Sequence, residues 1–325
     1  MQAAGFSVIA MTPAIEAENL VKLFGTHRAV DGISLTVPAG AVYGVLGPNG
    51  AGKTTTVRML ATLLRPDGGS ARVFGHDVAT ESTAVRSLVG VTGQYASVDE
   101  DLSATENLIV FSRLLGLSRK DSRRKSAELL EEFGLAEAAT KPLKNFSGGM
   151  RRRLDLAASL ISSPPLLFLD EPTTGLDPRT RMQMWDTIRR LVAQGSTVLL
   201  TTQYLDEADQ LCDRIAVIDH GKVIADGTAD ELKSSVGTSS LQLTLKDPSQ
   251  FDSARSIVAA HLGVEVVASG ESGRLSAPMS DPSATPEILI HLRDNGIAVE
   301  EISVSKPSLD EVFMTITGHD SIEAA

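Results

Sequence analysis

A single cysteine, Cys212, stands in the 325-residue chain, so no internal disulfide framework is available and the composition suits a reducing compartment. Its setting, shortly before Ile215 and Val217, reads as a small apolar side chain on a helix rather than a reactive thiol. No apolar run approaches the roughly 18 to 20 residues that span a bilayer, so the chain is not expected to cross a membrane by itself. Net positive charge is also missing. At a formal −11 the chain is not built to hold nucleic acid or anionic lipid through bulk charge, although Arg151, Arg152 and Arg153 form a local basic run. The opening MQAAGFSVIAM lacks a basic region and a cleavage site, so a signal peptide is not expected; residues 1–12 read as an extension, with Met1 and Met11 both open as starts.

What is present is an ordinary globular mixture, 42% hydrophobic and 22% charged, long enough for about two domains. Short strands with a turn are expected from Ile15 to about Val37, and an apolar strand over Ala41 to Leu46. A helical run from Lys53 to Leu64 stops at Arg-Pro-Asp-Gly-Gly, and strands follow at Ala71 to Phe74 and Leu88 to Thr92. From Ser103 to Lys144 the pattern turns to helices with polar faces, as a helical subdomain inserted in an α/β core. Strand and helix then alternate up to Asp219, which argues a largely parallel sheet covered on both faces. Beyond a linker-like SSVGTSS, the elements run βαββαβ and end in one more helix. That order is a split βαβ domain without a catalytic constellation, read as a packing or dimer-contact module.

Gly47-Pro48-Asn49-Gly50-Ala51-Gly52-Lys53-Thr54 matches G-x-x-x-x-G-K-[ST], and it lies between an apolar strand and a helix, as that motif requires. Its glycines let backbone N–H groups curl around phosphate oxygens, and the helix N-terminus adds partial positive charge. Lys53 is expected at the β- and γ-phosphates, the Thr54 hydroxyl on Mg²⁺, and Thr55 near the α-phosphate. Asp170 and Glu171 end the apolar strand Leu166 to Leu169. Asp170 suits Mg²⁺, which takes hard oxygen ligands, and Glu171 is placed to polarise an attacking water. Between loop and acids sits Phe146-Ser147-Gly148-Gly149-Met150. A Ser-Gly-Gly turn ahead of a helix offers a second phosphate-binding surface, and one nucleotide does not satisfy both surfaces of one chain.

Together these residues resemble the ATP-binding subunit of an ABC transporter over residues 13–235, with its helical subdomain at about 95–160. The resemblance implies a P-loop NTPase cassette with a RecA-like core and a β-subdomain, followed by the small α+β domain at 240–317 and a tail at 318–325. It makes Ser147, Gly148 and Gly149 the signature that caps the γ-phosphate bound on a second cassette, Asp177 the D-loop acid, and Gln94 the Q-loop residue near Mg²⁺ or water. It puts Phe24 where an aromatic stacks on adenine; a core Phe is the other reading of that residue. At the switch position, where the family usually has His, this chain has Gln203, which donates to a γ-phosphate but carries no charge and shuttles no proton. The signature likewise ends in Met150 rather than Gln.

Both departures, with Thr201-Thr202-Gln203-Tyr204-Leu205-Asp206-Glu207 and Pro307-Ser308-Leu309-Asp310-Glu311-Val312-Phe313, are similar to the daunorubicin/doxorubicin drug-resistance ATPase family of antibiotic exporters. That resemblance implies ATP and Mg²⁺ as cofactors and a head-to-tail homodimer of cassettes. It further implies a separate integral-membrane permease, no nucleic-acid partner, and a place on the cytoplasmic face of a bacterial membrane. Export of a hydrophobic polyketide, macrolide or anthracycline is the expected function. A soluble ABC ATPase of translation or repair, or export of a lipid or lipo-oligosaccharide, are the alternatives.

Overall fold

A computed structural model describes residues 13–93, 98–236, 239–264, 266–269, 274–305 and 307–317. Contacts divide the chain into two compact units, 1–228 and 229–325.

In the first unit the elements run β1 (Ile15–Phe24), β2 (His27–Val37), β3 (Val42–Leu46), α1 (Lys53–Leu60), β4 (Gly68–Val73), β5 (His76–Asp77), α2 (Ser82–Leu88) and β6 (Val89–Thr92). They continue as α3 (Ala104–Leu114), α4 (Arg119–Glu132), α5 (Gly148–Ser159), β7 (Leu166–Asp170), α6 (Pro178–Ala193), β8 (Thr197–Thr202), α7 (Leu205–Leu211), β9 (Arg214–Asp219) and β10 (Lys222–Gly227). An antiparallel sheet has the order β2-β1-β4-β5, and a second sheet the order β10-β9-β3-β8-β7-β6. The second is parallel except for its edge strand β10.

The continuous apolar runs VYGVL, LLFLD and TVLLTT are the three central strands, buried at every position. Period-two alternation sends their side chains into two separate cores. Tyr43, Val45, Leu166, Phe168 and Leu199 join β1, β2, β4 and α1 on one side, while Val42, Leu167, Leu169, Val198 and Leu200 join the helical insertion and α5 and α6 on the other. Strands clamped between two layers cannot slip by one residue without inverting both cores, which fixes the height of the strand ends where the phosphate loop and the acid pair sit.

Four of the helices on the second side begin at side-chain caps. Ser103 and Glu106 form a capping box at α3, Ser118 caps α4, Ser147 caps α5, and Asp177 caps α6 with Pro178 following it. The helical run expected to reach Leu64 stops at Leu60: Thr62 turns left-handed at φ 61°, and the N–H groups of Leu63 and Leu64 both fold back to the Arg58 carbonyl. Cys212 lies just past α7, not inside a helix, and burial pushes its thiol up. No described helix is long and apolar enough to cross a membrane.

The second unit comprises α8 (Ala229–Val236), β11 (Ser239–Leu245), α9 (Phe251–Leu262), β12 (Val267–Ser269), β13 (Arg274–Met279), α10 (Thr285–Asp294), β14 (Val299–Ser305) and α11 (Leu309–Thr317). Its sheet is antiparallel with the order β12-β13-β11-β14, the βαββαβ arrangement that the pattern predicts. The strand expected at Val264 to Val267 starts instead at Val267, because Gly263 closes α9 in the left-handed region. Leu241, Leu243, Leu245, Leu275 and Ala277 form one apolar face, covered by Ala254, Val258, Ile288 and Leu292 of α9 and α10.

Candidate functional site

The phosphate loop turns directly off β3. Gly52 has φ 104°, and a Cβ there would lie 2.5 Å from the Ala29 carbonyl, so only glycine closes the turn into α1. Ala51 is buried and its carbonyl takes the Gly221 N–H, while Gly47 is tied through its N–H to the Thr202 carbonyl at 3.3 Å. Lys53 folds back over the loop. Its ammonium donates to the carbonyls of Gly47 (2.6 Å) and Pro48 (3.1 Å) and pairs with Glu171 at 3.7 Å, all at 4% exposure. Burial pulls its pKa below the usual lysine value, against the opposing pull of Glu171 and Asp170.

Asp170 accepts two hydroxyls on one oxygen, Thr201 at 2.6 Å and Thr54 at 3.0 Å. Glu171 stands in the left-handed region at φ 49°, with its N–H on the Thr201 carbonyl and hydroxyl and its carboxylate taking the Thr174 hydroxyl at 3.2 Å. A cavity of about 360 Å³ opens above these groups, lined by Phe24, His27, Pro48, Asn49, Gly50, Gly52, Lys53, Thr54, Thr55 and Glu171. Phe24 is 51% exposed at its rim, with the Lys22 ammonium 5.9 Å from the ring centroid, so it is not a core residue. A cation, hydroxyls, loop N–H groups and a buried carboxylate facing one cavity can bind a polyphosphate and polarise a water beside it.

Ser147, Gly148 and Gly149 are not among the residues lining that cavity. Ser147 and Gly148 are exposed at the start of α5, where the Ser147 hydroxyl accepts the Met150 N–H at 3.3 Å. Gly149 is the buried member: a Cβ there would come within 2.3 Å of the Thr180 side chain. Asp177, the cap of α6, accepts both the N–H and the hydroxyl of that same Thr180, bonds that hold its carboxyl below the usual range. Signature and D-loop residues are thus packed as one surface. Gln203 follows the last residue of β8, half-buried, and does not line the cavity, and Gln94 lies outside the described residues.

Two residues at the site carry more than their sequence context suggests. Arg152 is the centre of a polar knot beneath the Asp170-Glu171 step, and Glu207 is fully buried beside it. Glu207 accepts the Thr173 hydroxyl (2.8 Å) and the Trp185 indole N–H (3.1 Å), and burial raises its pKa against these bonds. The available signal was helical register: Arg152 falls on the stripe of Gly149 and Leu156, and Glu207 on that of Leu211, both apolar faces. Replacing Glu207 by Ala leaves the buried Thr173 hydroxyl and the half-buried Trp185 indole N–H without their acceptor, so Glu207→Ala is expected to cost about 2–4 kcal/mol of stability in chemical denaturation. A loss below about 0.5 kcal/mol would contradict the network.

A phosphate loop on one central parallel strand, an Asp-Glu step two strands away and a helical insertion between them define an ATP-binding cassette of the P-loop class. Residues 30–174 match the family described as ABC transporter, and residues 227–317 the family described as ATP-binding protein DrrA1-3-like, C-terminal domain. The chain belongs to the drug-resistance group of ABC transporter ATP-binding proteins; it binds ATP and is an ATPase. It is 58% identical to the daunorubicin/doxorubicin resistance ATP-binding protein DrrA of Streptomyces peucetius, over 95% of this chain and 93% of that protein. It is 51% identical to the daunorubicin resistance ATP-binding protein DrrA3 of Streptomyces coeruleorubidus, over 94% and 96%. Among solved structures, an ATP-binding subunit of an ABC transporter superposes with a TM-score of 0.61 at 27% identity, over 68% of this chain and 92% of that one. Cassettes of this family dimerise and work with a membrane permease.

Proposed function

We propose that this chain is the ATP-hydrolysing subunit of an exporter that drives a hydrophobic antibiotic of the anthracycline type through a separate integral-membrane permease. Residues 13–235 are the cassette in this reading, with the helical subdomain at about 95–160 and an accessory domain at 240–317. The observation that carries it is the separation of two phosphate-binding surfaces in one unit. The cavity of Lys53, Thr54, Thr55 and Glu171 lacks the signature, while Ser147 and Gly148 stand exposed elsewhere. A second copy, packed head to tail, completes each site by laying its signature over the nucleotide held by the first. The substrate class follows from the relatives' names and from the DrrA1-3-like C-terminal domain.

Within the site, Lys53 and the loop N–H groups hold the β- and γ-phosphates, and Phe24 packs on the base. Thr54 and Asp170, whose side-chain oxygens already meet at 3.0 Å, with Gln94, would hold Mg²⁺. That ion, when bound, neutralises phosphate charge. Glu171 accepts the proton of the attacking water, Gln203 donates to the γ-phosphate from the switch segment, and Asp177 orders the partner-facing surface. The water's oxygen forms the new P–O bond as the β–γ bridge breaks, giving ADP and phosphate. The assembly sits on the cytoplasmic face of the bacterial membrane, held there by the permease.

The test is resistance. The chain is expressed with a multi-span protein from the neighbouring genes in an anthracycline-sensitive bacterium. Growth at raised daunorubicin, lost when Ser147→Arg blocks the signature, is the expected result. Sensitivity unchanged from the empty host, or co-purification with ribosomes and no membrane protein, would overturn it.

A further inference from the structure

Arg152 directs four hydrogen bonds and an ion pair into one small region. Nε donates to the Pro172 carbonyl at 3.0 Å, and one terminal nitrogen to the carbonyls of Asp170 (2.6 Å) and Glu171 (2.9 Å). The other terminal nitrogen donates to the Gly93 carbonyl at 2.6 Å and lies 3.7 Å from the Asp155 carboxylate one turn along α5. Three successive carbonyls of one turn and a fourth at the end of β6 therefore share a single guanidinium carried by the signature helix. The middle residue of that turn, Glu171, is the one held at φ 49°, a left-handed conformation that disfavours a non-glycine residue and persists only where its surroundings over-determine it.

We propose that Arg152 is a positioning residue of the hydrolysis site: its guanidinium holds the strained Asp170-Glu171-Pro172 turn against α5, and so sets where the Glu171 carboxylate points. The inference rests on the role of Glu171 given above. Arg152 does not line the nucleotide cavity, so it acts through the backbone of Glu171 rather than on the nucleotide. The same bonds join the acid that serves this chain's own nucleotide to the helix whose first turn serves the partner's. A shift of α5 is thereby passed to the turn as a change in carboxylate direction. A planar fork can reach four carbonyls in four directions; an ammonium, with three donors on one nitrogen, cannot.

The experiment compares full-length wild type with Arg152→Lys and Arg152→Gln in three readouts: kcat for ATP hydrolysis, equilibrium affinity for a non-hydrolysed ATP analogue, and thermal midpoint. For Arg152→Lys, kcat is expected to fall about 10- to 100-fold, the size of loss that follows from a misplacement near 1 Å. Analogue affinity should stay within about threefold, because the phosphate loop and Lys53 are untouched. Arg152→Gln should lose as much kcat or more, and it decides the question if the Lys variant does not fold. Wild-type kcat in either variant overturns the proposal. So does a fall in kcat matched by an equal fall in affinity and a collapse of the thermal midpoint, since that is what a merely structural residue does. Wild-type turnover by Glu171→Gln would sink the underlying reading instead, independently of Arg152.

Discussion

Glu171→Gln is expected to lower ATP turnover by about 10²- to 10⁴-fold, the range that a positioned general base contributes, while nucleotide affinity changes by less than about threefold. The substitution keeps the shape of the side chain and its acceptor toward the Thr174 hydroxyl, and it leaves the N–H bonds to Thr201 and the left-handed backbone untouched. What it removes is the negative charge that takes a proton from water. Binding and closure therefore proceed and hydrolysis does not, so ATP should hold two copies together, seen as a doubling of mass in size-exclusion chromatography with ATP and a return to the smaller species when ATP is withdrawn. Steady hydrolysis at the wild-type rate would exclude Glu171 from the chemistry.

Lys53→Ala acts earlier, on binding itself. The ammonium is 4% exposed and already desolvated, with two loop carbonyls and Glu171 around it. It stands ready to exchange some of those partners for phosphate oxygens at little further desolvation. A hydrogen bond to a charged group contributes about 1.5–3 kcal/mol, and each 1.4 kcal/mol is tenfold, so ATP affinity should fall by roughly 10- to 100-fold in calorimetric titration. Removing the lysine also leaves the Glu171 carboxylate, 9% exposed, without the cation 3.7 Å away. Like charge against the γ-phosphate then adds to the loss. Undiminished affinity would displace the phosphate loop from the role given it.

The two substitutions separate because the two residues share a cavity wall but not a step. In the proposed mechanism Lys53 neutralises charge that is present in bound ATP, whereas Glu171 accepts a proton that leaves only as the bond to phosphorus forms. Their ion pair lies beside a cavity whose lining includes neither Ser147 nor Gly149.

Much of this was legible in the residue order. GPNGAGKT reads directly because its chemistry is local: loop, lysine and hydroxyl are contiguous, and the turn that shapes them needs only its own glycines. LLFLDE reads because a strand buried on both faces must be apolar until it emerges, and the acids mark the emergence. The βαββαβ pattern after Ser239 reads because alternating apolar residues in β11 and β13 face helices of ordinary amphipathic period. Phe24 did not resolve this way; a lone aromatic in a strand can serve a core as well as a base, and its exposure at the cavity rim excludes the core.

By itself, then, the order of residues determined the phosphate loop, the acid pair at a strand end and the βαββαβ unit, since each depends on neighbours in the chain or on a short repeat. Only the tertiary structure decided that the signature lies away from its own phosphate loop, that Gly149 is dictated by Thr180, and that Arg152 binds a turn 18 to 20 positions away. The reason is physical. An arginine in a basic run looks solvated until packing removes its water, and the partners it then needs are carbonyls, which every residue has and no sequence distinguishes.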